Sequence, residues 1–139
     1  MYEQQYRACE AKPSQEKGNT MKTKYPPDMD EAMIPICDAL NALGKIRMQT
    51  QFSCEGHGKQ AFYVLVVVKD LSAIKHLLNI FNTAWCHYGI EVRDIRCGGI
   101  SICVESWILG TQQSESIRKA EFDNIVKRAI NECDVGVIV

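Results

Sequence analysis

The stretch Ala61-Phe62-Tyr63-Val64-Leu65-Val66-Val67-Val68 is unbroken apolar sequence. A run this short and uniform reads as a central strand of a sheet, covered on both faces. Just before it the period is two. Ile46, Met48, Thr50 and Phe52 alternate with Arg47, Gln49, Gln51 and Ser53, which predicts a strand with one wet face. Cys54 to Gly58 lies between the two runs, so they predict a hairpin with a loop of medium length.

The rest of the chain supplies the cover. Ile36, Leu40 and Leu43, with Ala39 beside them, form one helical stripe ahead of the hairpin, capped by Asp28 or Asp30 and stopped at Gly44. Pro35 either starts the regular helix or bends it. A second helix is predicted from Asp70 or Ser72 towards Gly89, with Ile74, Leu77, Leu78, Phe81 and Trp85 on its stripe. Ile90, Val92 and Ile95 then mark a strand, Cys97-Gly98-Gly99 a turn, and Ile100, Ile102 and Val104 the returning strand. Gly110 to Ser114 reads as a loop. A third helix follows over about Ser116 to Cys133, burying Phe122, Ile125, Val126, Ala129, Ile130 and Cys133. Glu115/Lys119 and Asp123/Lys127 pair on its wet side. Val135 to Val139 is a short edge strand or a packed tail.

The expected fold class is α+β in the order α-β-β-α-β-β-α, a four-stranded mostly antiparallel sheet with helices packed on it. A helix ending in Gly, a strand, a Cys-x-Gly turn and a second strand occur twice, which hints at internal repetition. At 139 residues the chain is read as one domain over 28–139 behind a mobile polar leader, 1–27. Met21 is an alternative start that would make residues 1–20 an upstream extension.

Composition removes some functions. Sixteen Lys and Arg against seventeen Asp and Glu leave no broad electrostatic signal for nucleic acid or an anionic membrane. No apolar run approaches the roughly 18 residues that span a bilayer. The N-terminus lacks the apolar core of a signal peptide, so a cytoplasmic protein is expected. Seven cysteines at irregular spacing agree with that compartment. Cys37, Cys86, Cys103 and Cys133 are read as reduced, small core hydrophobes.

Usable chemistry concentrates in Phe52-Ser53-Cys54-Glu55-Gly56-His57-Gly58. A ligand site there would comprise Ser53, Cys54, Glu55, Gly56, His57, Gly58 and Lys59. The glycines let backbone N–H groups face outward as an anion-binding nest. Ser53 and His57 donate hydrogen bonds, Lys59 adds charge, and Glu55 accepts from a ribose or base. The competing reading is a glycine-rich hairpin turn with no ligand. For metal, only the pair Cys54 and His57 is tight, and a structural zinc site takes four ligands. A right-handed crossover through the second helix sets Cys97 at the opposite end of the sheet. No metal ligand is therefore assigned, and the cofactor is unknown. Thiol catalysis by Cys54 with His57 needs an orienting third group, and Glu55 in the same turn would crowd both. His76 and His87, three helical turns apart, read as boundary residues, and Trp85 and Trp107 as core or interface anchors.

The segment Ala39-Leu40-Asn41-Ala42-Leu43-Gly44-Lys45-Ile46-Arg47, leading into Phe52–Gly58, resembles a group of small bacterial, phage and prophage proteins. Their strand ends in Ser-Cys-x-Gly-His. The resemblance covers about residues 30–68 and implies a shared fold but no activity. It suggests one use, the sequestering of a host signalling nucleotide. More distantly, the stretch is similar to the wybutosine-synthesis family of tRNA modification proteins, whose strand ends in Ser-Cys-Ser-Gly-Arg. Here Glu55 and His57 stand in place of the second Ser and the Arg, and no methyl-transfer role is carried over.

Three functions follow as expectations. The first is a small cytoplasmic protein binding an anionic, nucleotide-like ligand at 53–59. The second is an enzyme using Cys54, Glu55 and His57, metal-assisted or directed at a nucleotide. The third is an interaction module whose exposed strand edges pair subunits into a homo-oligomer.

Overall fold

The computed structural model describes residues 25–43, 48–96 and 98–138, the last six as backbone. A 3-10 turn, Glu31–Met33, runs into α1, Ile34–Asn41. Then come β1, Gln49–Cys54, and β2, Phe62–Val68. Next are α2, Ala73–Ile80, β3, Gly89–Arg96, and β4, Gly99–Ser106. The short α3, Trp107–Gly110, leads to the long α4, Glu115–Ile138. The α+β class stands. The sheet is four-stranded in the order β1-β2-β4-β3, and every neighbouring pair is antiparallel. Two helix–hairpin units side by side, joined along the β2–β4 seam, give this order. The fragment Val135–Ile138 continues α4 rather than forming a strand. Most of the leader, Met21, Gly44, Ile46, Arg47 and Cys97 lie outside the described residues. Tyr25, assigned to the leader, is buried and donates to Asp38 Oδ1 at 2.7 Å.

The core lies between the helices and one face of the sheet. Phe62, Val64, Val66 and Val68 of β2 meet Ile102 and Val104 of β4, Ile36 and Leu40 of α1, Leu77 and Ile80 of α2, and Phe122, Ile125 and Ala129 of α4. β2 is central, as expected, but the described helices cover only this face. Leu65 and Cys103, paired on the other face, are 7% and 6% exposed yet lie outside the core cluster. Cys37 and Cys86 are buried with Cys103, and none of the three is in a disulfide; the Cys133 side chain lies outside the described residues.

Three sequence expectations fail for local reasons. The register of β1 shifts between Thr50 and Phe52, so Gln51 is bulged. One extra residue reverses the alternation. Phe52 therefore leaves the core face and is 39% exposed, while Ser53 turns inward, with the Cys37 thiol 3.9 Å from its Oγ. Secondly, α2 stops at Ile80, where Arg128 Nε takes the last carbonyl at 2.6 Å. Phe81 and Tyr88 then fold back onto Phe62, leaving Trp85 and His87 off the helix and exposed. Thirdly, Ile130, expected on the buried face of the last helix, is 52% exposed; Trp107 is 60% exposed, which excludes the core and not the interface alternative for it.

Candidate functional site

The turn after β1 is built by close backbone approach. A Cβ on Gly56 would lie 2.4 Å from Gly110 Cα, and one on Gly110 would lie 2.1 Å from the Gln60 carbonyl oxygen. Only glycine at both positions lets α3 lie against the turn. The Gly58 N–H then donates to the Gly110 carbonyl at 2.8 Å. His57 is held at φ 56°, a left-handed conformation uncommon for a side-chain-bearing residue.

The outward nest expected of this turn is not formed. The Glu55 N–H donates to Asp30 Oδ2 at 3.0 Å and the Gly56 N–H to Cys54 Sγ at 3.4 Å. The Lys59 and Gln60 amides both donate to the Gly56 carbonyl. Ser53 faces α1. Of the seven residues assigned to a ligand site, Glu55 and His57 line the adjoining pocket.

What the fold adds is Asp30. Read from sequence as a helix cap, its carboxylate makes no capping bond and reaches the turn instead. Asp30 Oδ1 stands 3.2 Å from His57 Nε2. Asp30, Cys54 and His57 each offer one donor atom, and these lie within 4.8 Å of one another. On the other side of the ring, Glu55 Oε1 is 3.5 Å from Nδ1. Cys54 Sγ also accepts from Gln60 Nε2 at 3.3 Å. Among the described residues the hairpin of β3 and β4 adds no ligand to this group, and Cys97 lies outside them. Gly99 lies near Val68, at the end of the sheet away from Cys54 and Tyr63.

A pocket of about 720 Å³ opens beside these groups, between the 3-10 turn and α1 on one side and the start of α4 on the other. Asp30, Glu55, His57, Arg118 and Phe122 are among its lining residues, and carboxylates outnumber cations there. Arg118 is 7% exposed. Its guanidinium donates to the Gln112 carbonyl at 2.5 Å, stands 3.8 Å from Glu55 Oε1, and leaves Nε without a partner. A Cβ on Gly58 would meet this guanidinium at 3.3 Å. Arg118 thus ties the turn to α4 and fixes Glu55 beside the imidazole. Sequence periodicity does not single it out, because nothing local marks a contact that spans 63 residues in the chain, from Glu55 to Arg118. Among the described residues no helix is long and apolar enough to cross a membrane. No protein family, curated protein or solved structure matches the chain.

Proposed function

We propose that the protein binds one divalent transition metal of the zinc class through Asp30, Cys54 and His57. The ion then takes an anionic, oxygen-bearing small ligand from the adjoining pocket. The observation that carries this is the convergence of one carboxylate, one thiol and one imidazole within 4.8 Å. Sulfur, nitrogen and oxygen donors together suit zinc better than magnesium or calcium. Metal–ligand lengths of about 2.0–2.3 Å place tetrahedral ligands roughly 3.3–3.6 Å apart, near the 3.2 Å between Asp30 and His57. Glu55 behind Nδ1 is the partner that orients a metal-bound imidazole, leaving Nε2 for the ion. The backbone N–H of Gly56 and the side-chain amide of Gln60 supply the hydrogen bonds a coordinated thiolate accepts. Three protein ligands leave a fourth position open. An oxygen ligand would be drawn by the ion's open position, because the Glu55, Gly56, Gly58, Lys59 and Gln60 amides are engaged and the pocket is rich in carboxylates. A nucleotide phosphate suits such a centre, and the resemblance to phage and prophage proteins adds nucleotide sequestering in the cytoplasm as its use.

A second reading is favoured by Glu55. Its carboxylate lines the pocket and orients the imidazole from behind Nδ1; an ion held by Asp30, Cys54 and His57 would then supply an activated water at its open position, and the protein would be a hydrolase. A binding protein returns its ligand unchanged, whereas a hydrolase turns it over.

Calorimetric titration of metal-stripped full-length protein with Zn²⁺ tests both readings. One ion per chain is expected. His57→Asn, which tolerates the left-handed backbone, and Cys54→Ala each lower affinity by more than the roughly 10- to 100-fold that losing an outer partner alone produces. Inorganic phosphate binds only the metal-loaded form. Absence of saturable zinc uptake by the folded wild type overturns the proposal.

A further inference from the structure

The two edges of the sheet are finished differently. At the β1 edge the first helical segment takes the outward amides. The Thr50 N–H donates to Asn41 Oδ1 at 2.8 Å and the Glu55 N–H to Asp30 Oδ2 at 3.0 Å. At the other edge, β3 has β4 on one side and, among the described residues, no strand of the sheet beyond it. It exposes Val92 (41%) and Ile95 (68%) on the face that elsewhere carries the core, opposite Ile102 and Ile100 of β4. Its charges alternate in sign: Glu91, Arg93, Asp94, Arg96.

We propose that β3 is the interface of a homodimer in which two copies pair their β3 edges antiparallel about a two-fold axis. The register sets Arg93 against Asp94. It then also sets Glu91 against Arg96 and Val92 against Ile95, so every pair is opposite in charge or apolar. The β-bulge is what permits this register. The shift between Val92 and Asp94 adds one residue, so Val92 and Ile95 share one face while Glu91, Asp94 and Arg96 share the other. In an unbroken strand Val92 and Ile95 would point to opposite faces, as would Glu91 and Arg96, and the same register would bring no pair together. Two-fold symmetry makes each contact occur twice. Within one chain, Arg93 already holds Glu91 at 2.7 Å and Arg96 holds Asp94 at 2.5 Å; the second copy extends these pairs into a ladder across the seam. Charges and bulges on an edge usually keep strands apart. A set of one sign repels a copy of itself, whereas this alternating set attracts one. The interface lies at the opposite edge from Asp30, Cys54 and His57, so both pockets stay open.

The test is the mass of the full chain in solution by sedimentation equilibrium and native mass spectrometry, with and without a chelator, which separates this proposal from the metal reading. A dimer is expected in both conditions. Glu91→Arg and Arg96→Glu each set like charges opposite one another twice, weakening association by about tenfold or more. Mixing the two variants sets the introduced arginine against the introduced glutamate and native Arg96 against native Glu91, so a one-to-one heterodimer forms. Ile95→Lys, at an exposed position, weakens the dimer by an apolar route, and circular dichroism confirms that each variant is folded. A wild type that stays monomeric at high micromolar concentration overturns the proposal. So does a dimer indifferent to both charge variants, or folded variants that form no heterodimer.

Discussion

Gly110 shows how much of the site rests on single atoms. Sequence placed it at the start of a loop, but it ends α3 and is buried, with room for no side chain. A methyl group there would lie 2.1 Å from the Gln60 carbonyl oxygen and 2.2 Å from the Phe62 nitrogen. Both are backbone atoms of the turn and of β2, so neither can swing aside. Gly110→Ala should cost about 1–3 kcal/mol of stability, the range for forced overpacking, and should loosen zinc binding by shifting the turn. Gly98→Ala is the control, with nothing within 4 Å of the added carbon, and should stay within about 0.5 kcal/mol of the wild type. Urea unfolding of the two variants checks the contrast. At this scale the sequence disclosed Cys54, Glu55 and His57, because they crowd into one turn. It did not disclose Asp30, since a residue 24 positions before Cys54 joins the cluster only after the hairpin folds back past α1.

Among the elements, α2 was misjudged in length and α4 in pattern, and one buried group explains both. Glu121 is 3% exposed, and its Oε2 accepts from Thr83 at 2.8 Å, from Tyr88 at 2.6 Å and from Arg128 at 2.6 Å. Arg128 also closes the last turn of α2 through the Ile80 carbonyl. The apolar stripe alone would have continued α2 through Trp85. The charged network stops it and draws the segment from Phe81 to Tyr88 over the core, where Phe62, Phe81 and Tyr88 meet edge to face or tilted. Removing one partner of a buried pair costs about 3–5 kcal/mol. Arg128→Met should fall near the bottom of that range or slightly below it, since Arg128 is a quarter exposed and Thr83 and Tyr88 still donate. Adding Glu121→Gln should recover part of the loss, and a double-mutant cycle on unfolding free energies measures the coupling.

For the whole molecule, burial sets how stability varies with pH. Desolvation pushes the Tyr25 and Tyr88 phenols well above their ordinary range, helped by hydrogen bonds to Asp38 and Glu121. Desolvation also raises the Cys86 and Cys103 thiols. In each case the folded chain keeps a proton that the unfolded chain releases at about pH 8.5 for a thiol and about pH 10 for a phenol. Stability from these groups is therefore complete below those values and is lost as pH rises above them. Urea unfolding between pH 7 and 11 should show a decline beginning near pH 9 and steepening above 10, by up to about 1.4 kcal/mol per pH unit for each tyrosine. Tyr25→Phe and Tyr88→Phe should each flatten the upper part. A curve level to pH 11 would mean that these hydroxyls ionise as freely in the folded chain as in the unfolded one.

Periodicity is a property of neighbouring residues, and what it governs was readable in the sequence. That covers the α+β class, the two hairpins, the central place of β2, the three buried thiols Cys37, Cys86 and Cys103, and the turn that carries Cys54 and His57. Contacts between distant segments are invisible to it. Tertiary packing alone decided the bulge that turned Phe52 out and Ser53 in, because a bulge answers to the partner strand. It also decided the end of α2, set by a side chain 48 residues further along the chain from Ile80. The engagement of the turn amides belongs to the same class. So does the arrival of Asp30 beside Cys54 and His57, which makes a glycine turn a candidate metal centre.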